Sequence, residues 1–571
     1  MTVENDMIFS KSDILKPKGF KTSTTTLLIS TLAINILSLA LPIMTLQVYD
    51  RILPNPGSGT LPVLITGVCL AVFLEAMLRL SRAYMMGWAG AAYEHRLSCE
   101  AMAHVLKANP LYVSASGIGE HLHRMAAIVK LKDFYNGYAL MTFAELSFVP
   151  LFLCLIFFIA GPLVAVTAII LIIFTLLSCL EGYKLRQVLK KRDDTDDTRF
   201  NFLIESLEGI HTVKSFALEK FFERRYEALE EESSLANYKV TEDTAAIFNL
   251  GTIFSHLMVA AVISIGAYFV LQGQLTTGAL IATLLFSGRM MQPVQRALVL
   301  WAKYQDYTLA RKKLTKIFEM PSHVSVSGHK EPDRQGSLNV ENLKFRYNEN
   351  EPWILKDINL RMQQGDSILI SGDHGSGKTS LLQLIAGIYP ITDGTVKVDG
   401  LDILSYPPGT RTRHVGYIRT DGLIFRGTIR DNLTCFGNTD EKNAKEIAAM
   451  LKVDRDVSRL PSGFDTFLSG NNTDSIPPGL KQRIAIARTL STRPQLVLFD
   501  NADRGLDREG YHLIYSLLTS LKGKTSLVLI TDDYNLQSLT SRSFRLTDGK
   551  LAEIYEVYDQ SNVQPYKEIR V

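Results

Sequence analysis

Long stretches without charge alternate with strongly charged ones over the first 305 residues. A membrane-crossing helix takes about 20 predominantly apolar residues to traverse roughly 30 Å of hydrocarbon. Thr22–Tyr49 holds no charge and predicts a first span. Thr60 to about Leu80 predicts a second, after the turn-rich Pro54-Asn55-Pro56-Gly57. Ala139–Leu180 carries one charge, Glu145, and is long enough for two passes, with Gly161-Pro162 as the turn signal between them. Thr244–Gly288 is uncharged and again too long for one helix. It divides at Gln272-Gly273-Gln274, and its second part runs past Arg289 towards Trp301, completing six spans. The charged segments between them, about 82–138 and 182–243, read as helices that continue from the membrane into the cytoplasm. Two such loops at equivalent places suggest a paired mechanical role.

Beyond Trp301 the pattern changes. Ser, His, Pro and Gly gather near Pro321–Gln335 and mark a linker over 321–336. Over 337–555 short β-rich runs alternate with helical periodicity, the pattern of an α/β domain with a largely parallel sheet. The expected fold is multi-domain: a six-helix α-helical transmembrane domain over 22–320, then the α/β domain. Residues 1–21 read as a cytoplasmic N-terminal segment and 556–571 as a C-terminal tail.

Charge sets the orientation. Lys11, Lys16, Lys18 and Lys21 precede the first span, Lys190, Lys191 and Arg192 follow the fourth, and Arg311, Lys312 and Lys313 follow the sixth. The loops after spans one, three and five are nearly free of positive charge, so both termini are expected in the cytoplasm. A net charge of +3 in 571 residues argues against a dedicated nucleic-acid binder. The five cysteines form no C-x-x-C pair, which leaves neither a disulfide framework nor a zinc site supported. The lysine-bearing start lacks a signal-peptide pattern, so a secreted protein is excluded.

Candidate chemistry lies in the second half. Gly372-Asp373-His374-Gly375-Ser376-Gly377-Lys378-Thr379 fits G-x-x-x-x-G-K-[ST], between the strand-like Ser367-Ile368-Leu369-Ile370 and a helical run opening at Ser380. Glycines in such a loop let backbone N–H groups converge on phosphate oxygens, and the helix N-terminus adds a favourable dipole. Lys378 would reach the β- and γ-phosphates, and Thr379 would ligate magnesium. Asp373 is an oddity, because an acid there should weaken phosphate binding. A second apolar run, Leu496-Val497-Leu498-Phe499-Asp500, ends in an acid suited to holding magnesium.

With these residues in place, the chain resembles an ABC exporter half-transporter. Gln482–Arg488 resembles the helix after the ABC signature, and Gly427–Leu433 the segment after the Q-loop. Phe345-Arg346-Tyr347 resembles the adenine-stacking A-loop, and Glu205–Lys214 the segment near the second coupling helix. Ala40–Asn55 resembles the first-span motif of type I protein secretion exporters of RTX proteins and proteases, and Ser287-Gly288-Arg289 with Pro293 their sixth-span motif. The resemblance implies ATP and Mg2+ as ligands, held by Tyr347, Gly372, His374, Gly375, Ser376, Gly377, Lys378, Thr379, Ser380 and Asp500. It also implies a second half-transporter as partner, in a homo- or heterodimer, within the lipid of a bacterial inner membrane. A periplasmic adaptor, an outer-membrane channel and a secreted protein substrate would complete the partners.

Four family positions that do chemistry are substituted. The glutamate after the Walker B aspartate is Asn501, the switch histidine is Asp532, and the Q-loop glutamine aligns with Thr420. The signature reads Ile476-Pro477-Pro478-Gly479-Leu480, in which Pro477 has lost a serine hydroxyl and a backbone N–H. A register shift would offer Ser475 instead. The D-loop aspartate is kept as Asp507. The resulting expectation is an ATP-binding exporter subunit with degenerate hydrolytic motifs. An exporter of lipid, peptide or drug, and a non-transporting membrane protein switched by ATP, are the alternatives.

Overall fold

The computed structural model describes residues 20–54, 59–115, 117–135, 138–321, 332–470, 474 and 476–554. The chain divides into two units, Met1–Ala108 with Val113–Met320, and Asn109–Tyr112 with Pro321–Val571.

The first unit is helical. Its long helices are Leu61–Lys107, Leu163–Glu208, Glu219–Leu271 and Thr277–Phe318, of 47, 46, 53 and 42 residues. At 1.5 Å per residue each outruns the roughly 30 Å hydrocarbon layer, so the polar segments do continue the spanning helices. Gly161 at φ 49 ends the Val149–Ala160 helix and Pro162 opens the next, at the expected turn. The other break lies at Gln272–Thr276, where the Thr276 hydroxyl caps the last helix by accepting from Ala279 N–H at 3.1 Å.

Two departures from the sequence pattern stand out. The first span is not one helix: Phe20–Leu37 breaks at Ser38-Leu39, Ala40–Gln47 resumes, and Val48–Ile52 is a π-helical turn. Pro42 lacks an N–H and its ring opposes the carbonyl four residues back, which is Ser38, so the ladder opens there. Among the described residues, five helical stretches are long and apolar enough to cross a membrane, not six. The expected sixth is the unbroken Thr277–Phe318 helix, made more polar by Arg289, Gln292 and Gln295.

Apolar packing of Phe152, Ile156, Phe174, Met258, Val262 and Phe286 forms the core of this unit. Charges sealed inside it are paired. Glu145, 7% exposed, meets Arg296 and lies 3.7 Å from Arg82, whose guanidinium also donates to Thr31 Oγ1 at 3.2 Å. Removing one partner of such a group leaves an uncompensated buried charge, at about 3–5 kcal/mol. At the start of the last helix, Asp50 of the π-helical turn accepts from Thr276 Oγ1 at 2.6 Å and from Gly278 N–H at 2.8 Å. A carboxylate at a helix N-terminus satisfies free donors and complements the dipole. Beyond the apolar runs, Lys313 bridges Asp193 at 2.7 Å and Asp197 at 2.8 Å. Burial raises the Asp193 pKa, but Lys313 and Lys130 outweigh it and hold the carboxyl below its ordinary value.

Among the described residues, the second unit carries three sheets. The antiparallel one runs β2 (Leu355–Met362), β1 (Leu338–Phe345), β4 (Asp393–Val398) and β5 (Leu401–Asp402). The central one is ordered β12 (Lys550–Ile554), β11 (Arg542–Thr547), β3 (Ser367–Ser371), β10 (Ser526–Ile530), β9 (Leu496–Asp500) and β6 (Val415–Ile418). Only the β11–β12 pair is antiparallel in it. A small pair joins β7 (Gly427–Thr428) to β8 (Phe467–Leu468). Residues of β9 and β10 are buried on both faces, which is why they read as unbroken apolar runs. Strands β3, β10 and β9 are neighbours, so the loops at their carboxyl ends converge where α/β sheets bind ligands.

Candidate functional site

The loop 372–377 leaves β3 and turns into the Lys378–Ile385 helix. Two of its glycines are required by space and dihedral. Gly372 sits at φ 148, where an added Cβ would meet Leu546 O at 2.4 Å. Gly377 sits at φ 99, with Ile354 Cγ2 at 2.8 Å. Gly375, also left-handed at φ 82, and His374 lie exposed at the rim. Lys378 Nζ donates to Gly372 O at 2.6 Å and Asp373 O at 2.8 Å, so the lysine closes the loop on itself. Burial lowers the Lys378 pKa, and the carboxylates of Asp532, Asp373 and Asp500 act against that.

Thr379 Oγ1 donates to Asp500 Oδ1 at 3.2 Å, which brings the two expected magnesium ligands together across β3 and β9. Tyr417 OH donates to Asp500 Oδ2 at 2.9 Å. Burial pushes the Asp500 pKa up, against the pull of Tyr417 and Thr379. A hydroxyl and a buried carboxylate suit Mg2+, which takes one or two protein oxygens and completes its shell with waters and phosphate. Among the described residues no group of three or more His, Cys, Asp or Glu gathers for a metal, so nucleotide oxygens would have to supply the rest. The Ser376 hydroxyl oxygen is buried in the loop without a hydrogen-bond partner, which fits a cradle built to receive phosphate oxygens. Tyr347 stands at the far end of the cradle, its OH 2.8 Å from Ser380 Oγ and its ring edge-on to Phe345 at 5.1 Å. The residue is 38% exposed.

Three of the four substituted positions adjoin this group, Asn501 and Thr420 beside Asp500 and Asp532 within the field of Lys378, whereas Pro477 belongs to the start of a separate helix. Asn501 follows Asp500 at φ 47, and its N–H donates to Ile530 O at 2.8 Å. Asparagine tolerates that left-handed backbone better than most residues. Thr420 Oγ1 donates to Asp500 O at 2.8 Å and is committed to backbone. Asp532, after β10, forms an ion pair with Arg504. Pro477 is the N-cap of the Pro478–Leu490 helix, with Pro478 at its first turn, so the two prolines do start a helix. Ile476 and Leu480 pack inward, at 3% exposure each. Ser475 lies outside the described residues. Asp507 caps the Arg508–Leu521 helix by accepting from Gly510 N–H at 2.8 Å.

Tyr417 and Arg504 escape a reading by motif, and Gln482, read as part of the helix after the signature, has contacts that the motif does not foretell. Tyr417 sits opposite Leu498 in the β6–β9 register, two positions from Asp500 and so on its face. Gln482, 2% exposed, donates to Arg419 O at 2.9 Å and Ala502 O at 3.1 Å, tying the segment before Thr420 to the one after Asp500. The only sequence signal of Arg504 is a cation close behind an acid-bearing strand.

Family models match in two places: the ABC transporter transmembrane region over residues 25–294 and the ABC transporter domain over 355–504. The chain is an ABC exporter, with a transmembrane domain followed by an ATP-binding domain, and therefore a membrane protein. It is similar to the cyclolysin secretion/processing ATP-binding protein CyaB of Bordetella pertussis, 28% identical over 92% of this chain and 74% of that one. It is also similar to the alpha-hemolysin translocation ATP-binding protein HlyB of Escherichia coli, at 27% over 92% and 74%. A bacterial Atm1-family ABC exporter with ATP bound shares the fold, with a TM-score of 0.80 at 21% identity, over 94% of this chain and 95% of that one.

Proposed function

We propose that this chain is one half of a type I secretion exporter in a bacterial inner membrane, binding Mg-ATP and holding it rather than hydrolysing it. The observation that carries this is a division within one site. The grouping of Tyr347, Lys378, Thr379 and Asp500 around one loop supports a nucleotide with its magnesium there. The residues around them are unfit for turnover. The Asn501 amide cannot accept a proton from attacking water, and a general base contributes about 10²–10⁴ in rate. Asp532 presents a carboxylate where the resemblance implies a γ-phosphate contact, and the Thr420 hydroxyl is spent on backbone.

The type I secretion relatives support the rest of the reading. Its cargo is a secreted protein, and its partners are a second half-transporter, identical or different, a periplasmic adaptor and an outer-membrane channel. Bound magnesium supplies charge neutralisation of the β- and γ-phosphates. Thr379 and Asp500 position that ion, Lys378 exchanges its loop carbonyls for phosphate oxygens, and Tyr347 stacks the base. The purified full-length protein is expected to label with a photoactivatable ATP analogue and to lose the label on Lys378→Ala. Its hydrolysis should stay at background. Steady turnover that depends on Lys378 overturns the proposal.

A further inference from the structure

The Arg504–Asp532 ion pair joins two loops of the nucleotide site. Arg504 follows β9 four residues after Asp500, and Asp532 follows β10 two residues after Ile530, which pairs with Asp500 across the sheet. Both side chains are largely open to solvent, with Arg504 48% and Asp532 76% exposed, so the pair carries little of the fold's stability. It also lies within the field of the phosphate loop: the Lys378 ammonium feels the Asp532 carboxylate and the Arg504 guanidinium, besides Asp373 and Asp500. A γ-phosphate beside Lys378 would bring further negative charge to a place that already holds three carboxylates. Among the charged groups acting on Lys378, Arg504 is the one cation, and its present partner is an exposed carboxylate.

We propose that Arg504 is this chain's γ-phosphate contact, held by Asp532 when the site is empty and transferred to the phosphate when ATP binds. A guanidinium offers a planar fork that matches phosphate as well as carboxylate, so the exchange keeps its hydrogen bonds paired. The Asp532 carboxylate, unfit to touch a phosphate itself, becomes the group that parks the cation and sets a threshold for release. ADP, without the γ-phosphate, leaves the ion pair closed. The chain thereby distinguishes ATP from ADP without a switch histidine. This inference rests on the ATP-binding reading above.

The test is competition of ATP and of ADP, each with Mg2+, against a ribose-labelled fluorescent ATP analogue on the full-length protein in lipid nanodiscs. Arg504→Ala should weaken ATP by about tenfold or more and leave ADP within about twofold. Arg504→Lys should recover part of the loss. Asp532→Ala should tighten ATP by about 3–10-fold, and that gain should vanish when Arg504→Ala is added. Equal effects of Arg504→Ala on ATP and ADP, or tighter ATP binding by Asp532→Ala that survives Arg504→Ala, overturn the inference. A wild-type protein that binds neither nucleotide overturns the ATP-binding reading itself, and this one with it.

Discussion

At Gly278 an added methyl would sit 2.5 Å from Asp50 Oδ1 and 2.8 Å from Leu46 O. Gly278→Ala must therefore push the first span aside or break the bond from Gly278 N–H to the Asp50 carboxylate. Overpacking of this kind costs about 1–3 kcal/mol, and Tm of the solubilised protein should fall by about 1–5 °C. Asp50→Asn keeps the shape and loses the charge, so its penalty should be smaller, about 1 kcal/mol. An unchanged Tm for Gly278→Ala would dispose of the brace. The sequence displays Asp50 within a recognisable motif but hides its partners, because Thr276 and Gly278 lie 226 and 228 residues further on. The phosphate loop was legible for the opposite reason. Its geometry is local, set by glycines within eight consecutive positions. Arg504 with Asp532 was not, since that contact exists only once β9 and β10 pair.

Among the elements, the helix Pro478–Leu490 bears most on the partner chain. With Pro477 at its N-cap, it starts without the N–H and hydroxyl that a signature would turn towards the opposite nucleotide. If the partner has full consensus, its own site keeps base, switch and Q-loop residues and lacks only these donors, while the site on Lys378 lacks the former. Losing oriented donors costs on the order of 10²–10³ in rate. Pro477→Ser with Pro478→Gly should therefore raise the ATPase rate of the pair more than Asn501→Glu does. The φ of 47 at residue 501 widens the difference, because a glutamate accepts a left-handed backbone less readily than asparagine. A stronger rescue by Asn501→Glu would reverse the assignment of the working site. Breaks between elements were readable where glycine or a polar turn interrupted apolar sequence, as at Gly161 and at Gln272-Gly273. The break at Ser38-Leu39 was not, because Pro42 sits in uninterrupted apolar sequence and acts on a residue four positions back.

On the scale of the whole molecule, the two-part organisation was visible in the change of period after residue 336. The number of spans was less so: Arg289, Gln292 and Gln295 make the last long helix more polar than a lone spanning helix. The lysine and arginine pattern is the ground for expecting both ends on one side. A periplasm-active reporter inserted at Asn55 should be active, and one fused after Val571 should be silent. Activity at the C-terminus would reject that orientation.

Asp50 also imposes an order on synthesis. Its carboxylate leaves the ribosome 226 residues before Thr276 does. At about 5–20 residues per second, that is a delay of roughly 11–45 s. Throughout it the π-helical turn Val48–Ile52 has an acid at its middle and no helix start to cap. The first span must enter the membrane in a provisional state, and every product cut short before residue 276 stays in it. A nascent chain thus carries a chemical mark of incompleteness near its beginning, erased only when the start of its last long helix arrives.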